Sequence, residues 1–296
     1  MTPNPFLKKL GFSDTDRLVI VHTDDIGMCQ ASLTAFEHLW EFGTISSGAV
    51  MVPCPWFPSV GKMCRENPKM DMGVHATLNA EWLSYRWGPV STRDPESGLL
   101  DAEGYFHQWH PAVYENAKPE AVAAEVNAQV ERALAAGIDI THVDSHMGTI
   151  MHPNFVQSYL QAAISRQVPP MLPRIGAQGF DALGVSDEAL AFYAPVLTQL
   201  EAQGLPLLDG LYGMPLSGEG DHIQIAKKLL GEAPVGITHF ILHPSVDTPE
   251  LRAIAPDWQG RVANYKAFMS QELKDFIKNS GIQLIGYRAI REAMRA

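Results

Sequence analysis

Cysteine is scarce in this 296-residue sequence. The three cysteines, Cys29, Cys54 and Cys64, are odd in number and form no Cys-x-x-Cys motif. This pattern argues against a disulfide framework and against a zinc site built from cysteine. Long apolar runs are also missing: no window approaches about 18 uncharged apolar residues, and the opening stretch MTPNPFLKKLGF has no signal-peptide core. The sequence therefore predicts a cytoplasmic protein with no membrane-inserted segment.

Positive charge is in deficit, because 22 Lys and Arg residues face 33 Asp and Glu residues and give a net charge of −11 at pH 7. This balance disfavours binding to nucleic acid or to an anionic membrane surface. The sequence shows no basic patch, which disfavours a phosphorylated substrate. No Gly-x-Gly-x-x-Gly follows the first apolar run, which disfavours a dinucleotide-binding Rossmann fold.

Apolar runs alternate with helix-like patterns along the chain. The segments typical of strands are 17–23, 45–52, 71–78, 138–145, 237–244 and 282–287. The segments typical of helices are 30–43, 119–137, 154–167 and 261–279. Such βαβα alternation with short connections predicts an α/β protein with a parallel sheet covered by helices. We expect a TIM-like (β/α) barrel, closed or nearly closed, in a single domain over residues 1–296, with an open doubly wound sheet as the alternative.

Residues 82–117 interrupt this alternation with a long segment rich in proline and glycine. A loop of this length inside a compact domain is usually functional. Six of the chain's 26 Trp, Tyr and Phe residues lie within residues 82–109, among them Trp82 and Trp87. These rings could contact the apolar faces of sugars, or they could pack onto the barrel or onto a second subunit.

The first strand runs directly into two adjacent carboxylates, Asp24 and Asp25. In parallel α/β folds, active sites lie at the carboxyl ends of the strands. Adjacent residues that leave a strand point in different directions, so one carboxylate could bind a metal while the other faces the water that the metal activates. The alternative is that the pair caps the next helix or forms a turn.

Histidine collects at the corresponding ends of other strands. These residues are His75 in GVHATL, His142, Asp144 and His146 in THVDSH, and His243 in LHPS. Each one alone is also explained by a packed core histidine or an ordinary ion pair. Together, three strand ends that supply aspartate and histidine indicate a catalytic divalent-metal site with open positions for water and substrate. A further histidine could then act as general acid for a leaving group.

Four short segments, HTDDIG, GVHATL, THVDSH and LHPS, resemble in sequence and in order the motifs of a known family. This is the YdjC-like family of carbohydrate deacetylases, which includes chitooligosaccharide deacetylases and hopanoid-linked deacetylases. The resemblance extends from residue 17 to about residue 290. It implies a (β/α) barrel related to glycoside hydrolase and polysaccharide deacetylase barrels, a divalent metal ion (Mg²⁺ or Zn²⁺), a small carbohydrate substrate and a possible homodimer.

The resemblance also implies individual roles. Asp25, His75 and His146 would be the metal ligands, Asp24 the base and His243 the acid. One departure stands out, because His146 is followed by Met147 and Gly148 where the family often has Gln-His. A substrate-facing histidine is therefore missing, and His152 is the nearby residue that could substitute for it.

The residues predict a metal-dependent hydrolase, and the resemblance implies that it removes an N-acetyl group from an amino sugar or related carbohydrate. His142 and Asp144 are expected to hold ligating histidines from behind, and Trp82 and Trp87 to support the site or contact substrate. Two alternatives stay open. The protein could hydrolyse another amide, a phosphoester or a glycosidic bond, or it could be a non-catalytic sugar-binding barrel.

Overall fold

A computed structural model of the protein describes residues 2–179 and 187–296. The strands of this described part are β1 Arg17–Ile26, β2 Ser47–Val50, β3 Met72–Ala76, β4 Ile140–Ser145, β5 Pro173–Gln178, β6 Leu208–Gly213, β7 Gly236–Leu242 and β8 Ile282–Leu284. Its α-helices are α1 Phe6–Lys9, α2 Gln30–Phe42, α3 Phe57–Glu66, α4 His110–Asn116, α5 Pro119–Ala135, α6 Val156–Ile164, α7 Asp187–Ala202, α8 His222–Glu232, α9 Pro249–Ile254, α10 Trp258–Phe268, α11 Gln271–Asn279 and α12 Tyr287–Arg295. Short 3₁₀ segments cover Pro95–Ser97 and His146–Met151.

The strands form one parallel sheet in the order β4-β3-β2-β1-β7-β6-β5, and β8 pairs with the beginning of β1. Strand β1 is central, and every residue from Leu18 to Ile26 is buried. A parallel strand covered on both faces has this continuous apolar character. The predicted α/β class is therefore confirmed, and the carboxyl ends of β1, β3, β4 and β7 meet on one side of the sheet.

The sheet curls into a TIM-like barrel that is not fully closed. Among the described residues, β4 meets the segment just before β5 in one isolated bridge, in which the Val143 N–H donates to the Pro169 carbonyl at 3.1 Å and the Met171 N–H donates to the Val143 carbonyl at 3.0 Å. Pro169, Pro170 and Pro173 have no N–H to donate, so the ladder cannot continue along this seam. The expected TIM-like curvature of the sheet is confirmed, but the barrel is not fully closed, because this proline-rich stretch interrupts the ladder.

Helices cover the outer face of the sheet. Helix α5 is the clearest case, because Val122, Val126, Val130 and Ala133 recur at helical spacing and are all buried. Its last turn leads into Gly137, whose φ of 82° reverses the chain before β4. Within the described ranges, no helix combines the length and apolar character needed to span a bilayer.

Three segments differ from expectation. The predicted helix 261–279 is two helices, α10 and α11, because Ser270 has extended backbone angles that end one helix and begin the next. The predicted strand 282–287 ends at Leu284, and α12 begins after the extended Gly286. The irregular segment 82–117 contains the short helix α4. The single domain over residues 1–296 stays a prediction, since residues 1 and 180–186 lie outside the described part.

Candidate metal and catalytic site

The backbone at the end of β1 is irregular, and this irregularity places both aspartates. The pairing with β2 advances three residues from Thr23 to Ile26 against two from Gly48 to Val50, which is a β-bulge. Asp25 has a φ of 61°, in the left-handed region that aspartate tolerates better than most residues. The two side chains therefore do not diverge onto opposite faces, as they would on a regular strand.

Three side chains converge at the carboxyl ends of β1, β3 and β4. Asp25 Oδ1 lies 3.5 Å from His75 Nε2 and 3.2 Å from His146 Nδ1, and all three residues are buried. Asp25 Oδ1 nevertheless has no hydrogen-bond partner among the described residues. Two imidazole nitrogens close to an unsatisfied buried oxygen are an arrangement that suits a cation between them. The three atoms lie near enough together to bind one metal ion.

Each of these three side chains is held from behind. His75 Nδ1 lies 2.7 Å from Asp144 Oδ1, which directs Nε2 toward Asp25. His146 Nε2 lies 3.0 Å from Glu81 Oε2, which directs Nδ1 the same way. Such carboxylate–histidine pairs fix the orientation of ligating imidazoles and raise their basicity.

The remaining oxygen of Asp25 is held by a buried arginine. The Arg261 guanidinium donates to Asp25 Oδ2 at 2.7 Å and to Asp257 Oδ1 at 2.9 Å. Burial alone would raise the pKa of Asp25, but the Arg261 charge and the contacts with His146 and His75 hold that pKa well below its usual range. Asp25 is therefore an ionised carboxylate with one oxygen committed and one free.

The carboxylates around the cluster raise the pKa values of both of its histidines. Burial opposes a proton on His75, yet Asp144 and Asp24 raise its pKa well above the usual value. Burial likewise opposes a proton on His146, but Glu81 and Asp25 raise its pKa to about 9. The raised histidine pKa values show that the surrounding carboxylates stabilise positive charge at this position. The same negative potential would stabilise a metal ion that binds in place of those protons.

Asp24 and His243 lie beside the cluster. Asp24 Oδ2 lies 3.8 Å from His75 Nε2 and 3.8 Å from His243 Nε2, while its Oδ1 lies 2.7 Å from His22 Nδ1. Burial would raise the pKa of Asp24, but His75, His22 and His243 lower it. Burial lowers the pKa of His243, although Asp25 and Asp24 oppose that effect, so its imidazole is neutral at pH 7. The His243 side chain is 20% exposed and that of Asp24 is 9% exposed, so solvent reaches the cluster from the side of His243.

The two tryptophans predicted from the sequence lie behind side chains of this cluster. Trp82 is 6% exposed, and its ring lies 5.3 Å from the Arg261 guanidinium carbon. Trp87 is 3% exposed, and its ring centroid lies 6.3 Å from that of His146. Both therefore support side chains of the cluster, whereas Trp109 is the large ring of this segment that is most open to solvent.

The other predicted site residues are placed as follows. Asp144 contacts His75, as described above. His142 lies deeper in the barrel interior, where its Nε2 is 2.8 Å from His22 Nε2, so its hydrogen bond goes to His22 in place of a ligating histidine. The ring of His152 stacks on Tyr114 at a centroid distance of 4.2 Å.

Sequence reasoning missed His22, Glu81 and Arg261. His22 precedes Asp24 by two residues on β1, and this period-two spacing was a usable signal. Glu81 follows β3 in an irregular segment, where nothing in the spacing fixes its direction. Arg261 comes from α10, more than two hundred residues beyond Asp25, and only the tertiary structure brings the two together.

These features place the protein among α/β barrel proteins whose buried aspartate and histidine side chains could hold a metal ion. The chain belongs to the YdjC-like protein family, whose profile matches residues 18–279. It is similar to a carbohydrate deacetylase of Thermus thermophilus, with 30% identity over 97% of this chain and 98% of that protein. It is also similar to a carbohydrate deacetylase of Brevibacillus brevis, with 25% identity over 91% of this chain and 98% of the relative.

A solved structure from Enterococcus faecalis shares the fold. That protein, provisionally named for cellobiose-phosphate cleavage, superposes with a TM-score of 0.75 and 21% identity, over 93% of this chain and 99% of its own. At this identity the likeness concerns the fold alone.

Proposed function

We propose that this protein is a metal-dependent hydrolase that removes an N-acetyl group from an amino sugar or a related N-acetylated carbohydrate. Carbohydrate deacetylases among its relatives support this substrate class. The observation that carries the proposal is the position of Asp24, whose Oδ2 lies beside both His75 and His243 at the edge of the ligand cluster.

Asp25, His75 and His146 would hold the metal ion. Two imidazole nitrogens with one carboxylate oxygen form a donor set that suits Zn²⁺, and Mg²⁺ is the alternative from the family resemblance. When bound there, a divalent cation lowers the pKa of a coordinated water and polarises the acyl carbonyl. Arg261 keeps Asp25 ionised, and Asp144 and Glu81 keep the two imidazoles aimed at the centre.

Asp24 acts as the general base. Its Oδ1 is committed to His22, so Oδ2 is the oxygen that takes a proton from the attacking water. The hydroxide oxygen forms its bond to the acetyl carbon as this proton leaves. Because His75 and the hydrogen bond with His22 hold the pKa of Asp24 low, the carboxylate is ionised at neutral pH.

His243 acts as the general acid. Its Nε2 lies 3.8 Å from Asp24 Oδ2, close enough to receive the proton after a small approach, and its ring is partly open to substrate. A neutral imidazole must gain that proton before it can donate. His243 then protonates the sugar nitrogen as the C–N bond breaks, which releases acetate and the free amine.

Acetate release from a panel of N-acetylated sugars tests the proposal. The protein is stripped with a chelator and reloaded in turn with Zn²⁺, Mg²⁺, Mn²⁺, Co²⁺ or Ni²⁺. We expect release that depends on metal and disappears in Asp24→Asn. Release of phosphate or of reducing sugar instead would identify a phosphoester or glycosidic bond as the target.

A non-catalytic sugar-binding barrel predicts a different outcome. Such a protein would bind sugars equally with and without metal, and no substitution at Asp24 would alter any product. Light scattering during size-exclusion chromatography tests the possible homodimer separately, because that expectation rests on the family resemblance alone.

A further inference from the structure

Three large apolar side chains are exposed to solvent beside the ligand cluster. Leu83 is 86% exposed, Trp109 is 54% exposed and Met147 is 40% exposed. Met147 directly follows His146, and Leu83 directly follows Trp82, which lies behind the cluster. We call Leu83, Trp109 and Met147 the apolar ledge.

One buried amide joins the three segments of the apolar ledge. Asn79 Nδ2 lies 3.0 Å from Met147 Sδ and 3.4 Å from the Gln108 carbonyl oxygen. Gln108 Nε2 in turn donates to the Trp82 carbonyl at 3.5 Å. These two carbonyls belong to the residues just before the other two members of the ledge. The three segments therefore lie together around Asn79, at the carboxyl end of β3.

The position of Asn79 is itself fixed. Its Oδ1 accepts from the Thr149 hydroxyl at 2.8 Å, and its main-chain carbonyl accepts from Trp87 Nε1 at 2.9 Å. The Ala80 N–H donates to the His107 carbonyl at 2.9 Å, which adds a main-chain contact between two of the segments. A surface that is ordered before its ligand arrives loses little conformational freedom on binding.

The backbone just beyond His146 is strained and leaves open space. Met147 has a φ of 51°, in the left-handed region that is costly for a residue with a Cβ. Gly148 follows with a φ of 67°. Apart from its chain neighbours, no described residue has an atom within 4 Å of the position that a Cβ of Gly148 would take. Strain of this kind clusters at binding surfaces, and the space beside Met147 can accept a ligand.

We propose that the apolar ledge is a subsite for a second unit of the substrate, which is joined to the acetylated sugar and bound through an apolar face. The inference rests on the proposed function, in which the acetyl group enters between His243 and the metal ligands. The ring that carries the acetyl group then covers the cluster. A surface that begins one residue beyond His146 lies beneath the group attached to that ring.

The chemistry of the ledge selects the kind of second unit. One indole ring and two aliphatic side chains offer contact area and dispersion to an apolar face, but no charge. Such a face is present on the C–H side of another sugar ring and on an aryl or alkyl aglycone. A single acetylated sugar leaves the ledge uncovered.

Exposed apolar side chains can also mark a contact between subunits. The continuity of Met147 with His146 favours the substrate as the occupant, because a second copy seated there would cover one side of the ligand cluster. The two occupants predict different measurements. Substrate binding makes the ledge change substrate preference, whereas a subunit contact makes it change molar mass.

Acetate release from three compounds tests the proposal. These are the methyl glycoside of N-acetylglucosamine, its phenyl glycoside and the β-1,4-linked disaccharide of N-acetylglucosamine. We expect kcat/KM for at least one of the two extended compounds to exceed that for the methyl glycoside by roughly 10-fold or more, from the added apolar area buried. A gain with the phenyl glycoside alone identifies an apolar aglycone, and a gain with the disaccharide identifies a second sugar. No gain with either would overturn the proposal.

Substitutions then show whether the ledge causes the gain. Trp109→Ala should bring the ratio of kcat/KM between extended and methyl compounds close to one, and Trp109→Phe should retain part of it. Tyr105→Ala is the matched control, because Tyr105 is an exposed ring of the same segment that the Arg86 guanidinium carbon already covers at 5.4 Å. The proposal is wrong if Trp109→Ala keeps the wild-type ratio, or if Tyr105→Ala lowers the ratio equally.

Leu83→Ser gives a second variant with little risk to folding, since Leu83 is the most exposed member of the ledge. We expect it to lower the same ratio by roughly 3-fold. Light scattering on the Leu83 and Trp109 variants checks the other occupant. A lower molar mass with an unchanged ratio would assign the ledge to a second copy of the chain and overturn the proposal.

Binding to the Asp24→Asn protein separates this inference from the proposed function. By isothermal titration, an extended compound should bind more tightly than the methyl glycoside, and Trp109→Ala in the same background should remove the difference. If the wild type releases acetate from no sugar, the proposed function fails, and the titrations still decide whether the ledge binds a second unit. If acetate is released but neither rates nor binding depend on Trp109, only this inference fails.

Discussion

Arg261 and Asp25 form a buried ion pair at the centre of the site, with the guanidinium 2.7 Å from Oδ2 and both side chains 3% exposed. The pair leaves Oδ1 of Asp25 facing two imidazoles. A buried charge pair of this kind is expensive to break, because either partner alone would be an uncompensated charge in the barrel interior. Arg261 therefore stabilises the fold and also fixes the position of the Asp25 carboxylate.

Removing Arg261 should reduce stability strongly. Arg261→Met leaves the Asp25 and Asp257 carboxylates without their guanidinium, and we expect the free energy of unfolding to fall by roughly 3–5 kcal/mol in urea titrations. Arg252→Met is the control, because Arg252 makes a similar pair with Asp247 at the surface and should change little. Equal losses in the two variants would contradict the special role of the buried pair.

The two adjacent aspartates should separate metal binding from turnover. Asp24→Asn should keep the bound metal and lose roughly 100- to 10,000-fold in kcat, since the base is removed but the ligands remain. Asp25→Asn should lose metal affinity itself, because the ionised ligand becomes neutral. Metal content by elemental analysis and kcat measured on the same samples check both. If both variants kept metal and near-normal kcat, the division of roles would be wrong.

Glu81 should tune metal affinity through His146. Glu81→Gln weakens the contact that directs His146 Nδ1 inward, and we expect the metal dissociation constant to rise by roughly 10- to 100-fold. Isothermal titration of the stripped protein measures this without any substrate. Glu103→Gln, in the segment that follows Glu81 and with its carboxylate largely exposed, should leave the metal affinity unchanged.

Asp139 should stabilise the folded protein at neutral pH and lose this contribution at low pH. Hydrogen bonding from Arg291, opposed by burial and reinforced by Arg288, lowers the pKa of Asp139 below its usual value of 3.8. The unfolded chain therefore binds this proton more readily than the folded protein, and the stabilisation is present above pH 3.8 and lost as the pH falls through the folded-state pKa. We expect wild type to exceed Asp139→Asn in urea midpoint at pH 7, with a gap that narrows toward about pH 3. A gap that widens in acid would contradict this sign.

Much of the fold follows from patterns that are local in the sequence. The apolar run of β1, the helical spacing of α5 and the terminal Gly137 each specify their element without distant partners. Strand ends then gather on one side because parallel strands all finish there, which is why the aspartates and histidines that end several strands can be grouped from the sequence. The choice of Asp25, His75 and His146 among them came from the family resemblance.

The parts that sequence reasoning did not predict depend on distant or compensating contacts. The open seam follows from where Pro169 and Pro170 fall against β4, and the role of Arg261 depends on how α10 packs over the barrel mouth. The sequence allows Trp82 as a sugar contact because aromatic loops often bind sugars, yet its ring packs against Arg261. Composition alone cannot distinguish a ring that covers the protein from one that covers a ligand.

The left-handed backbone at Asp25 limits how this site could be transplanted. A designer who copied Asp24, Asp25 and His75 onto a regular strand of another barrel would send the two carboxylates to opposite faces, and one of them would leave the centre. The extra residue between Thr23 and Ile26 must be copied with the side chains. The information for this centre is thus carried by the path of the main chain as much as by the identity of its residues.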